Sequence, residues 1–359
     1  MTTSGDIRDT VWGTETFYDR WLQSQGIPVI KGYAIDDLNT VKVEPWTRKG
    51  GKGAFVILEG AEGMADCYIS EIPPGGNLKP QRHLYEEMIY ILSGSGATTM
   101  WWNEKEKQTF EWQAGSLFAP PLNVVHQHFN GSGDKPVRYM AVTSAPLMLN
   151  LVHNADFLFK NDFAFTDRYQ GEGDYFAASK GKLHPGRIWE SNFVTDIRSL
   201  KLYEWKERGA GGSNIMLELS NNTMAAHISE FPVGTYKKAH RHGPAAHVVL
   251  LNGEGFSFMW PEGGNRMKIP WHTGSMFVPP NRWFHQHFNV GSTPARYLAL
   301  RWNSRKYPMG KAYKTAEDVK AGGDQIEYPD QDPTIEKDFQ AECAKRGVTS
   351  KMAPFLENK

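Results

Sequence analysis

The apolar positions of this chain come in short runs punctuated by glycine and proline. Met88 to Leu92 and Val248 to Leu251 are apolar stretches of strand length, each closed by a Gly-x-Gly turn. Phe118 to Pro120 and Phe277 to Pro279 are shorter and stop at proline, which cannot donate to a ladder. The pattern predicts an all-β chain with two helical exceptions at its ends. Near the start, Thr14 is placed to cap a short helix with Phe17, Tyr18, Trp21 and Leu22 on one face. Near the end, Asp332-Pro333 makes a helix start, Ile335, Phe339 and Cys343 follow at spacing four, and Gly347 is a natural stop.

The strand pattern occurs twice, at a constant offset of 159 residues. Trp46 matches Trp205, Ser70-Glu71 matches Ser229-Glu230, and Gly94 with Gly96 matches Gly253 with Gly255. Pro120-Pro121 matches Pro279-Pro280, and the run His126-Gln127-His128-Phe129-Asn130 matches His285-Gln286-His287-Phe288-Asn289. Nearly a hundred residues in register without a gap mean an internal duplication. Each copy has the length and turn density of a small antiparallel sandwich or barrel of the jelly-roll kind. The expected organisation is an arm over 1–31, a first barrel over 32–149, a connector over 150–190, a second barrel over 191–305 and a helical tail over 306–359. The connector carries Phe157, Phe159, Phe163, Phe165, Tyr169, Tyr175 and Phe176. It is too apolar for a free linker and is expected to pack across the barrels or against a partner subunit.

Composition narrows the function. Forty basic residues balance forty acidic ones with no long single-sign block, which argues against a nucleic-acid or membrane-surface partner. No apolar run reaches membrane-spanning length and the N-terminus has no signal pattern. Two cysteines, Cys67 and Cys343, cannot make a disulfide framework, so a cytoplasmic location is the expectation. A homo-oligomer, a dimer by base rate, is expected from the arm and the connector.

The chemistry is in the histidines. His240 and His242 lie two apart, so on a strand they share a face. His285, from a second strand, would close a three-imidazole metal site. Neutral imidazole suits iron, zinc, copper and nickel. His287 shares the face of His285 and suits hydrogen bonding or proton transfer to substrate. His247 is a candidate fourth ligand five residues after His242, although the gapless repeat aligns it with Met88. In the first copy Gln81, His83, Glu87 and His126 offer a second metal site built on two histidines and a carboxylate. Strand alternation turns Arg241 outward, which leaves Arg282 as the candidate for binding a substrate carboxylate.

These residues resemble the two motifs of the cupin superfamily over residues 32–300. In the first copy, Gln81-x-His83-x3-Glu87-x6-Gly94 follows motif one with Gln81 for its first histidine. Gly115-x5-Pro121-x-Asn123-x2-His126-x3-Asn130 follows motif two with Asn123 for a glycine. In the second copy, His240-x-His242 follows motif one with Ala246 at the place of the glutamate. Gly274-x5-Pro280-x4-His285-x3-Asn289 follows motif two with Arg282 at the glycine. The second copy is most similar to the ring-cleaving bicupin dioxygenases of the gentisate and salicylate group, which use His-x-His without the glutamate and then a Trp-x-His-x-His-x-Asn run. That resemblance implies two tandem cupin β-barrels, Fe(II) on His240, His242 and His285, and a small hydroxy-aromatic acid or diketone as substrate together with O2. In that family, however, the N-terminal cupin carries the iron. Manganese, nickel, copper and zinc stay open as the metal. A non-oxidative decarboxylase or isomerase, or a ligand-binding bicupin without turnover, stays open as the function.

Overall fold

The computed structural model describes residues 14–302, 304–309 and 316–356. Each copy folds into a large sheet that faces a three-stranded one. In the first, Gly51–Leu58, Asp66–Ile72, Val137–Thr143 and Glu87–Ser93 lie side by side, and Val125–Asn130, Ser95–Trp101 and Gln108–Gln113 form the small sheet. In the second, Ser213–Leu219, Met224–Phe231, Ala295–Trp302 and His247–Asn252 are the counterparts, with Met267–His272, Glu254–Trp260 and Phe284–Asn289 opposite. The duplication extends to ladder register: Ser70 pairs with Tyr139, and Ser229 with Tyr297.

The copies trade strands. Phe193–Val194, at the start of the second copy, pairs with Leu117–Phe118 of the first. Ala34–Ile35, at the start of the first, pairs with Met276–Phe277 of the second. The sequence boundary between copies is therefore not the boundary between sheets.

The large sheets are buried on both faces, which is why Met88 to Leu92 and Val248 to Leu251 read as continuous apolar runs rather than alternating ones. One core joins the copies: Val56, Ile69, Met88 and Val142 from the first share it with Leu217, Ile228, Val249 and Leu300 from the second. The other faces line the barrel interiors. In the second barrel that interior holds Val248, Leu250, Tyr297 and Ala299. Residues two apart in these strands thus point at one barrel, and their neighbours point at the shared core.

The terminal helices form as expected, with one correction. The helix Phe17–Ser24 buries Tyr18, Trp21 and Leu22. Its cap is Thr16, not Thr14, because Asp19 answers Thr16 in a reciprocal capping box. The helix Pro333–Lys345 is capped by Asp332 and buries Ile335, Phe339 and Cys343. Two short helices follow the last strand of the first barrel: Ala145–Val152 leads into the connector and Ala155–Lys160 lies within it. The connector's aromatics pack on the arm helix and the first barrel: Phe159 stacks on Trp21 and Phe176 on Phe110. Arg168 reaches Asn222 of the second copy, 3.3 Å away.

Candidate metal centres

In the second barrel, His240 and His285 form a cross-strand pair that exchanges both backbone hydrogen bonds, at 3.1 and 2.8 Å. Two residues along, the Arg282 amide donates to the His242 carbonyl at 3.0 Å. This short antiparallel ladder brings three rings together, with centroids 4.3 Å (His240–His285) and 4.6 Å (His242–His285) apart. Each Nδ1 faces a carbonyl, which can only accept: Lys238 for His240 (3.2 Å), Gly243 for His242 (2.8 Å) and Trp283 for His285 (3.2 Å). Nδ1 therefore carries the hydrogen, and Nε2 keeps a lone pair on each ring. One donor atom from each of the three lies within 4.8 Å of the others. Burial, followed by the Arg208 charge and the neighbouring imidazoles, holds His240 well below the ordinary imidazole range. Burial is also the main cause for His242, and it pushes His285 down to about 3. Three neutral imidazoles aimed at one point fit a divalent cation.

Around them is a small chamber with about 20 Å³ of free space, also lined by Trp205, Arg208, His227, His287, Tyr297 and Arg301, with no acidic side chain among the described lining residues. The His287 ring is held in place by Ser257, whose Oγ accepts from the Trp271 indole (3.0 Å) and lies 2.8 Å from His287 Nδ1. With Nδ1 accepting from that hydroxyl, the ring hydrogen sits on Nε2. Lys237 donates to the Tyr297 hydroxyl at 3.1 Å. Burial works against ionisation of that hydroxyl, but the Lys237 charge, the hydrogen bonds from Ser229 and Lys237 and the Arg208 charge together outweigh it and leave the group lowered.

The first barrel repeats the ladder with a different outcome. Gln81 pairs with His126 as His240 does with His285. Glu87 Oε2 lies 3.4 Å from His83 Nε2 and 3.5 Å from His126 Nε2. All three atoms are buried without a hydrogen-bond partner, and together they form an ion-sized cluster. The other oxygen, Oε1, accepts from Tyr68 and lies 3.7 Å from Lys49 Nζ. Burial opposes ionisation of Glu87, but Lys49 and the two imidazoles overcome it and hold the carboxyl well below its usual range. Burial lowers Lys49 itself to about 8 against the pull of Glu87. Tyr85 lies flat on His83, at 3.7 Å between ring centroids, and helps close the site. The orphaned donors fit a cation here too, on His83, Glu87 and His126.

Residues 68–143 match the cupin domain family. No curated relative matches the chain. Among solved structures it is similar to a mutant oxalate decarboxylase from Bacillus subtilis, at 14% identity over 76% of this chain and 78% of that one, with a TM-score of 0.50. A second oxalate decarboxylase structure, concerned with substrate binding and a reaction-specificity switch, gives the same values. That of Lactobacillus farciminis with formate is 16% identical over 76% of this chain and 86% of that one, at TM-score 0.49. Residues 68–143 thus carry a cupin domain, and the chain as a whole has the fold of two tandem jelly-roll barrels.

Three sequence candidates lie outside the clusters. Gln81 does not turn toward His83: its Oε1 accepts from Arg48 (2.7 Å) and its Nε2 donates to the Pro80 carbonyl (3.0 Å). Arg282 adopts a left-handed backbone, φ 63°, at the motif's glycine position. That conformation carries its side chain to the surface, where it donates to Asp324 at 2.6 Å. His247 points to the core between the cupins, since Ala246 and Val248 on either side of it face the chamber. Its Nδ1 donates to the Ala245 carbonyl at 3.3 Å. The cationic and aromatic chamber residues Arg208, His227, Tyr297 and Arg301 were not singled out from the sequence. Two signals were present: Arg208 occupies the repeat position of Lys49, and His227 that of Tyr68.

Proposed function

We propose that the bicupin is a metal-dependent enzyme whose second cupin acts on a carboxylate substrate, and that the reaction is loss of CO2. The observation that carries this is a reversal of charge at one place in the barrel. In the first cupin Glu87 stands opposite Thr143 in the ladder. In the second, the glutamate position is Ala246, and one step beyond the His247–Leu300 pair stands Arg301. A divalent ion on three neutral imidazoles keeps its full charge, and the Arg208 and Arg301 side chains line the same chamber. A chamber of that sign takes an anion.

His240, His242 and His285 would hold the ion. When bound, it supplies Lewis acidity that draws electron density from the carbon next to the carboxylate. Arg301 orients the carboxylate, and His287 Nε2–H donates to oxygen where negative charge grows. As the carbon–carbon bond breaks, CO2 leaves and the electron pair stays on the remaining carbon. Tyr297 is placed to hand that carbon a proton, and the buried Lys237 ammonium behind it restores the phenol. The fold shared with oxalate decarboxylases accords with this reading. Nothing in the donor set selects Fe(II) over Mn(II).

A second reading is O2-dependent cleavage, favoured by the three-histidine set with Ala246 in place of the glutamate. The test loads the protein with Mn(II) or Fe(II) and supplies oxalate, 2-oxo acids and hydroxybenzoates, with and without O2. CO2 release under anaerobic conditions is expected. Turnover that consumes O2 in proportion would favour the second reading, and no turnover with either metal would overturn both.

A further inference from the structure

The chamber cannot hold a whole organic substrate, because its free space of about 20 Å³ is room for little more than one small ligand. His242 and Arg301 also line a second, open cavity of about 520 Å³. Its other described walls are Met64, Gly243, Pro244, Trp302 and Met309, none of them acidic. Anion-binding chemistry therefore sits at the inner end of an apolar vestibule.

We infer that the second cupin takes an elongated amphiphilic anion, its carboxylate in the chamber and an apolar aryl or alkyl body in this vestibule. The inference rests on the chamber being the carboxylate site. The vestibule is built jointly by the two cupins and is pre-formed. Met64 follows the turn Glu59–Ala61 of the first cupin, and that turn is tied to the rim of the second. The Ala245 amide donates to the Gly60 carbonyl (2.8 Å), the Asn281 amide to Glu62 Oε1 (3.0 Å) and the Trp302 indole to the Met64 carbonyl (3.3 Å). A Cβ on Gly60 would meet the Val278 carbonyl oxygen at 2.4 Å, so only glycine allows this close approach. Met309 is 56% exposed beside these walls. An exposed thioether next to a tryptophan at the mouth of a metal site is a surface for an apolar group to cover. A dianion as small as oxalate would leave all of it bare.

The test is binding to the Mn(II)-loaded protein, read from the loss of water-proton relaxation as a carboxylate displaces water. The probes are oxalate, pyruvate, 2-oxohexanoate, 2-oxooctanoate and phenylpyruvate. Affinity is expected to rise with the apolar body, by about fourfold per methylene buried. In Met309→Glu that rise with chain length should flatten. Equal affinity for pyruvate and 2-oxooctanoate, or a rise that Met309→Glu leaves intact, would overturn the vestibule while leaving the carboxylate chamber standing. No displacement by any of the five acids would overturn the chamber, and the vestibule with it.

Discussion

Ala246 is the residue at which the two cupins part. Putting glutamate there would set a carboxylate against Arg301 and convert the second site toward the donor set of the first. Ala246→Glu is therefore expected to keep metal binding and to lose affinity for carboxylate probes by about 100-fold, because the added carboxylate would repel a second anion in the same chamber. Metal analysis alongside relaxation titration checks both halves; unchanged affinity would remove the cationic chamber from the account. His247 gives a second test, and a pH dependence. Burial pushes this imidazole from 6.5 to about 4. Between those values the unfolded chain binds a proton that the folded one does not, so stability rises with pH across the window. The contribution is complete above about 6.5 and lost as pH falls toward 4, roughly 2 kcal/mol by pH 5. His247→Met, the residue the first cupin has at this position, removes that liability along with the orphaned Nε2. The variant should melt higher than the parent at pH 5, by a margin that shrinks at pH 7.5, with unchanged metal content. Loss of metal would show His247 to be a ligand after all.

At the scale of single elements, what the sequence made legible was local. The helix Pro333–Lys345 could be read because its cap, its buried stripe and its stop all lie between Asp332 and Gly347. The strand pairs of the metal ladder could be read because alternation fixes which histidines share a face. What was illegible depended on partners far away in sequence. Nothing local says that Gln81 will turn to Arg48, that Ser257 and Trp271 will fix the hydrogen of His287, or that Arg301 will fill the space beside Ala246. Arg282 sits between these cases: its place at a motif glycine was visible, and a left-handed backbone there redirects its side chain. The arm helix shows the same division. Its apolar face was legible, whereas the choice of Thr16 over Thr14 as cap was decided by the reply from Asp19. Thr16→Ala should cost about 1 kcal/mol of arm docking. Faster proteolysis near residue 16 without loss of metal would report it, and unchanged cleavage would make the cap dispensable.

Across the whole molecule, the exchanged strands and the shared core make the two cupins one cooperative unit. Glu86 is the tightest single tie. Its carboxylate, nearly buried, accepts from the Thr223 amide (2.9 Å), the Met224 amide (2.7 Å) and Arg168 (3.2 Å). The residue after it, Glu87, belongs to the candidate metal cluster of the first barrel, and Met224 opens the strand that carries His227 into the chamber of the second. One side chain thus fixes the spacing between both sites. Glu86→Ala would strand two backbone amides and a guanidinium at the seam, at a cost of about 3 kcal/mol. The parent should unfold in a single calorimetric transition. The variant should unfold at lower temperature, still in one transition, because the strand exchange and the common core remain. Metal affinity should weaken in both cupins together, since each loses an anchor of the same seam. Two separated transitions in the parent would mean that the cupins fold independently, and the coupling argued from Glu86 would then have no structural basis.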